Sequence, residues 1–128
     1  MITYYQTATR NSPEVKINAK DGVIELKGSS SPENVRKFYE PIFNEIDKFE
    51  QIGSDSITAS FNMEYFNTGT SKCFFVILKK LKKLEKQGLE VRVHWFYEED
   101  DECMYEIGED YQSVLDLPFD FKEISVDY

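Results

Sequence analysis

Basic residues are in short supply in this chain. Lys and Arg number 15 against 24 Asp and Glu, which leaves a formal charge of −9 and a pI near 4.6. Affinity for nucleic acid rests on neutralising phosphates with Lys and Arg, so no nucleic-acid partner is expected. Cysteine is rarer still. Cys73 and Cys103 show no CxxC spacing, so reduced, packed thiols are expected rather than a disulfide framework. A lone histidine, His94, and two scattered cysteines do not supply a structural zinc site, and neither metal nor cofactor is expected. No apolar run approaches the ~20 residues that span a bilayer. The opening MITYYQTATR lacks a basic start and an apolar core, so no secretory signal is read and a cytoplasmic location is expected. Glycine-rich phosphate loops of the P-loop or dinucleotide type are also missing.

What the chain does have is aromatic bulk. With 10 Phe, 8 Tyr and 41% apolar residues, it can offset the entropy of ordering, which excludes a disordered chain. Its 128 residues suit one continuous core and hence a single domain over 1–128.

Along the chain, Val15 and Ile17 alternate with polar residues, Asp21-Gly22 supplies a turn, and Val23 to Leu26 follow. This predicts a hairpin, with the segment from Ile2 to Thr7 pairing at one edge. In SPENVRKFYEPIFNEIDKF, Ser31 is placed as N-cap and Pro32 at the first helical position. Val35, Phe38, Tyr39, Ile42, Phe43, Ile46 and Phe49 mark one apolar stripe, predicting a helix over 32–49 that Pro41 bends or interrupts. Ile57, Ala59, Phe61, Met63 and Tyr65 alternate with polar residues, a strand with one greasy face. A second helix is predicted over 70–87 with Gly88 just past its end. A strand over Val91–Tyr97, a third helix over 101–116 and a final extended segment from Phe119 to Val126 complete the reading. The fold class is therefore α/β (α+β), in the order β-β-β-α-β-α-β-α-β. A mixed sheet is expected, with a right-handed parallel crossover over 56–97 and helices mainly on one face.

Candidates for chemistry are few. His94 points opposite Val93 and Trp95 and is read first as a structural sheet residue. Gly28-Ser29-Ser30-Ser31 precedes a helix start and could bind an anion, although a turn plus cap accounts for it. The run Glu98-Glu99-Asp100-Asp101-Glu102 offers oxygen ligands of the kind hard cations choose, but its spacing is not that of an EF-hand, and acidic runs are usually solvated. Lys72, Lys79, Lys80, Lys82, Lys83 and Lys86 gather 6 of the 15 basic residues on one helix. They form either a solvated face or a ridge for an acidic partner. A small enzyme using His94 or the acidic run, and a passive docking module using the lysines, both stay open.

The segment Asn67-Thr68-Gly69-Thr70-Ser71-Lys72 lies where a strand hands over to a helix. Asn67 or Thr68 can cap that helix. A hydroxyl there can also accept phosphate, whose oxygens the free N–H groups from Gly69 to Ser71 would receive, with Lys72 on the same helical face.

Three stretches together resemble a known family. They are Gly28-Ser29-Ser30-Ser31-Pro32-Glu33-Asn34 running on through Phe38-Tyr39 and Pro41, MEYFNTGTSK at 63–72, and VHWFYEEDDECMYEIGEDY at 93–111 before Leu117-Pro118-Phe119. The chain resembles the SiaC family of bacterial regulatory phosphoproteins over nearly its whole length. It departs from the pattern at Gly69, where a small hydroxyl residue is common. The resemblance implies a STAS-like fold and a non-enzymatic regulator in a partner-switching system. It further implies a phosphoacceptor at Thr68, served by a protein kinase and a PP2C-like phosphatase. Asn67, Gly69, Thr70, Ser71 and Lys72 would shape the partner surface. The implied target is a diguanylate cyclase, linking the chain to cyclic-di-GMP and biofilm formation.

Overall fold

The computed structural model describes residues 2–125. Six strands form one sheet in chain order: β1 (Tyr4–Gln6), β2 (Glu14–Asn18), β3 (Val23–Ser30), β4 (Ser56–Phe66), β5 (Glu90–Glu98) and β6 (Phe119–Ile124). The first three pair antiparallel, while β3 through β6 run parallel. Connecting parallel neighbours are the helices α1 (Val35–Asp47) with the short α2 (Phe49–Ile52), then α3 (Thr68–Lys86), then α4 (Glu102–Leu115). The hairpin, the parallel crossovers and the mixed sheet match the sequence reading. Val126, included there in the last segment, lies outside the described residues.

Alternation along each strand explains why all the helices collect on one side. Ile24, Leu26, Ile57, Ala59, Phe61, Val91, Val93, Trp95 and Phe119 point the same way and are buried. The long helices lay their own buried residues on that face: Tyr39, Ile42 and Ile46 from α1, Phe74, Ile77, Leu78 and Leu81 from α3, Met104 and Tyr111 from α4. The opposite face carries Lys27, Thr58, Ser60, Asn62, Arg92, His94 and Asp120, none of them fully buried. Gly22 closes the hairpin at φ +70, and a Cβ there would stand 1.9 Å from the carbonyl oxygen of Ser56. Only glycine satisfies both the positive φ and the approach of β4.

Three local expectations are overturned. Ser31 does not cap α1; its N–H donates to the Asn11 carbonyl at 2.8 Å, which keeps it with the strand side of the junction. Asn34 caps instead, its Oδ1 accepting from the Lys37 N–H at 3.0 Å, so Pro32 and Glu33 precede the helix. Of the bend or interruption expected at Pro41, the interruption is not found, because α1 runs through to Asp47; Pro41 is exposed, and water can serve the Lys37 carbonyl for which it has no N–H. The break comes later, at Lys48, before α2. Tyr65 is not on the buried side of β4 and exposes 56% of its surface. The register slips between Gly28↔Met63 and Ser29↔Tyr65, so Glu64 is an extra residue, and a bulge of this kind reverses the in–out phase beyond it. Phe66 thereby turns inward, with ring centroids 4.8 Å from Phe74 and 6.1 Å from Trp95.

Trp95 is the centre of the aromatic packing. It is fully buried, donates Nε1–H to the Met104 carbonyl at 2.9 Å, and packs near Phe61, Tyr111 and Phe119. Gly108 of α4 faces it so closely that an added Cβ would lie 2.5 Å from Cδ1 and 2.8 Å from Phe121. Gly108→Ala should therefore destabilise the protein by ~1–3 kcal/mol through overpacking, read as a lower urea midpoint with unchanged m.

Candidate functional site

The parallel strands deliver the starts of α1 and α3 to one edge of the sheet. β3 ends at Ser30 and β4 at Phe66, and these two residues are register partners. In open parallel sheets this carboxyl edge of the strands is where ligands are received. Asn67 follows in extended conformation at φ −87 and ψ 177, and its side chain accepts from the Thr70 N–H at 2.9 Å. The Asn67 N–H donates to the Ser30 carbonyl at 3.1 Å. Asn67 is thus both the cap of α3 and its tether to β3.

Thr68 is then the first residue of α3 and is exposed. Among the described residues its hydroxyl makes no hydrogen bond. The N–H groups of Thr68 and Gly69 have no carbonyl one turn back to receive them, as at any helix start. The positive end of the α3 dipole therefore surrounds a free hydroxyl. Lys72, one turn on, is exposed and has no ion-pair partner among the described residues.

Thr70 and Ser71, grouped with Thr68 by sequence, are placed differently. Thr70 is completely buried. Its Oγ1 lies 2.8 Å from Ser30 Oγ and donates to the Ser30 carbonyl at 3.1 Å, while Ser30 Oγ lies 2.7 Å from Tyr39 OH. This corrects the placing of Thr70 on the partner surface, because the cap turns its side chain under the sheet edge. Ser71 is half-buried, its Oγ 2.7 Å from Tyr111 OH, which also donates to the Ser71 carbonyl at 2.8 Å. Of the three hydroxyls, only that of Thr68 makes no hydrogen bond among the described residues.

The other candidates separate. His94 Nε2 lies 3.5 Å from Asp120, which also takes Arg92 at 3.1 Å. Strand register sets Ser60, His94 and Asp120 in a row, a neighbourhood invisible without the pairing. Among the described residues, Ser60 makes no hydrogen bond to His94, so the row lacks the nucleophile–base contact that acyl transfer requires. Asp101 from the acidic run caps α4, accepting from the Met104 N–H at 3.0 Å. Among the described residues no group of three or more His, Cys, Asp or Glu could hold a metal ion, and no helix is long and apolar enough to cross a membrane. The lysine ridge is partly occupied at home: Lys80 pairs with Asp47 at 2.7 Å, Lys82 with Glu85 at 2.8 Å and Lys83 with Glu50 at 3.5 Å.

The model of the SiaC family regulatory phosphoprotein matches residues 6–124. The chain belongs to the SiaC family. An uncharacterized protein of Pseudomonas aeruginosa strain UCBPP-PA14 is 23% identical over 111 residues, covering 87% of this chain and 88% of its own. The fold is that of SiaC from the same species. Apo-SiaC superposes with a TM-score of 0.85 at 22% identity, over 93% of this chain and 97% of its own. A chain from the complex of the diguanylate cyclase SiaD with its activator SiaC gives 0.89 at 21% identity, over 94% and 99%. The SiaC family is one of regulatory proteins, and in that complex SiaC acts on an enzyme partner.

Burial raises the Tyr39 phenol well above its ordinary value of 10.0, an effect that the Ser30 hydrogen bond only partly offsets. The folded protein keeps a proton that the unfolded chain loses above about pH 10, so this contribution to stability is full below that pH and is lost as pH rises. Tyr39→Phe should therefore show a shallower loss of stability than the parent between about pH 9 and about pH 11, followed by urea unfolding. Thr70→Val should cost ~1–3 kcal/mol by leaving Ser30 and Tyr39 underpaired. Thr68→Val should stay within about 0.5 kcal/mol of the parent.

Proposed function

We propose that the chain is a regulatory phosphoprotein whose switch is a reversible phosphate on Thr68. A protein kinase writes it and a PP2C-like phosphatase removes it. The unmodified protein docks on a partner enzyme, a diguanylate cyclase, and so governs cyclic-di-GMP and biofilm formation. The observation that carries this reading is the contrast among three neighbouring hydroxyls. Thr70 is buried and Ser71 is tied to Tyr111, while Thr68 is exposed and unbonded among the described residues. A kinase can approach the Thr68 hydroxyl without unfolding the helix.

Phosphate on Thr68 would be well tolerated by the protein itself. It would add about −1.5 to −2 charge and three acceptor oxygens at a helix N-terminus, where N–H groups and the dipole favour an anion. Gly69 carries no side chain to crowd it, and Lys72 stands one turn away. The same charge changes what a partner meets. A misplaced dianion at a contact loses affinity by desolvation and repulsion, and a 100-fold loss needs only about 2.7 kcal/mol. Asn67, Gly69 and Lys72 form the surroundings that partner and kinase would read, while Thr70 and Ser71 hold those surroundings in place from beneath.

The test is incubation with the cognate protein kinase, followed by intact-mass measurement and peptide mapping. One added phosphate on Thr68, absent from Thr68→Ala, is expected, together with weaker partner capture by Thr68→Asp than by the parent. Label on Ser71 or elsewhere with Thr68 untouched would overturn the assignment.

A further inference from the structure

Helices α1 and α3 run in the same direction side by side. At their starts Val35 lies against Gly69, whose added Cβ would meet it at 3.4 Å; at their far ends Lys80 Nζ bonds Asp47 at 2.7 Å. Between them opens a groove of about 730 Å³. Val35, Phe43, Cys73 and Val76 give it an apolar floor, and Val76 leaves 37% of its surface exposed there. From Gly69 to Lys80 the groove is about 17 Å long at the α-helical rise, which fits three turns of another helix.

Charge along the groove is uneven. At the far end Lys80 is neutralised by Asp47 and lies over the Phe43 ring at 5.9 Å. At the near end Lys72 has no ion-pair partner among the described residues, and Arg36 reaches Glu40 only at 4.0 Å. The N-terminal ends of both helices add positive potential at this same end. On a chain of formal charge −9, an acidic ligand is repelled by most of the surface and drawn to this end.

We propose that the groove docks an amphipathic helix of the partner protein. Its apolar face lies on Val35, Phe43 and Val76, and its carboxylates gather at the end beside Lys72 and Arg36. The inference rests on the partner-binding reading above and adds where the partner sits and what chemistry it must carry. It also gives the phosphate a means of action, because a dianion at Thr68 would stand at the carboxylate end of the bound helix.

A displayed library of helical segments, with leucines fixed at i, i+3, i+4 and i+7 and other positions randomised, would be selected on the intact protein. Selected segments are expected to be enriched in Glu and Asp toward one terminus. Their affinity should fall at least about tenfold on Val76→Asp and on Lys72→Glu. Val114→Asp, at an exposed position of α4 outside the groove, should bind as the parent does, with circular dichroism confirming that each variant is folded. Failure to enrich any segment, enrichment without acidic residues, or equal affinity for Val76→Asp would overturn the groove assignment. Loss of affinity on Val76→Asp with none on Thr68→Asp would uphold the groove and count against the phosphate switch alone.

Discussion

Ser30 Oγ sits between two other hydroxyls, 2.7 Å from Tyr39 and 2.8 Å from Thr70, and all three are buried. This cluster joins the end of β3, the middle of α1 and the first turn of α3. A polar group taken out of water is stable only if its partners are all present, and a fully satisfied network fixes one geometry sharply. Among the described residues no buried side-chain nitrogen or oxygen lacks a partner. The start of α3 is therefore registered against the sheet by directional bonds as well as by packing. Thr68 inherits its outward orientation from that registration, since Thr70, half a turn away, is held inward.

The same edge gathers several separate consequences of parallel topology. Because β3 and β4 are parallel, the helices that follow them begin at the same place and carry their positive ends together. Because Glu64 is an extra residue in β4, Phe66 turns inward to brace α3 through Phe74. Because Asn67 reaches Ser30 with its N–H and Thr70 with its side chain, the hand-over from strand to helix takes a single residue. A site built on two strand ends and a capped helix is stiffer than one on a free loop.

Much of this was legible in the residues. Period-two and helical patterns locate all the long elements, Asp21-Gly22 marks the hairpin, and Asn67 is one of two residues able to cap α3. What escaped reading depends on pairs distant in the chain. Ser31 reads as a cap until the Asn11 carbonyl takes its N–H, and only then does Asn34 inherit the role. Thr68, Thr70 and Ser71 are chemically alike in sequence; Ser30 and Tyr39, on other elements, decide which of them is buried. The bulge at Glu64 leaves no mark in the alternation before Tyr65, because it is set by the slip against Gly28 and Ser29. The lysines of α3 likewise look uniform until Asp47 and Glu50, near the end of α1 and in α2, claim two of them.

Every helix packs on one side of the sheet, so the reverse side remains a broad polar floor of Lys27, Ser60, Asn62, His94 and Asp120. A protein of this shape has a front and a back. A visitor gripping the helices leaves the rear strands untouched, so a second visitor can attach behind it without either having to leave. Two callers exclude each other only where both need the same stretch of the helical face, the rim at which Thr68 stands included.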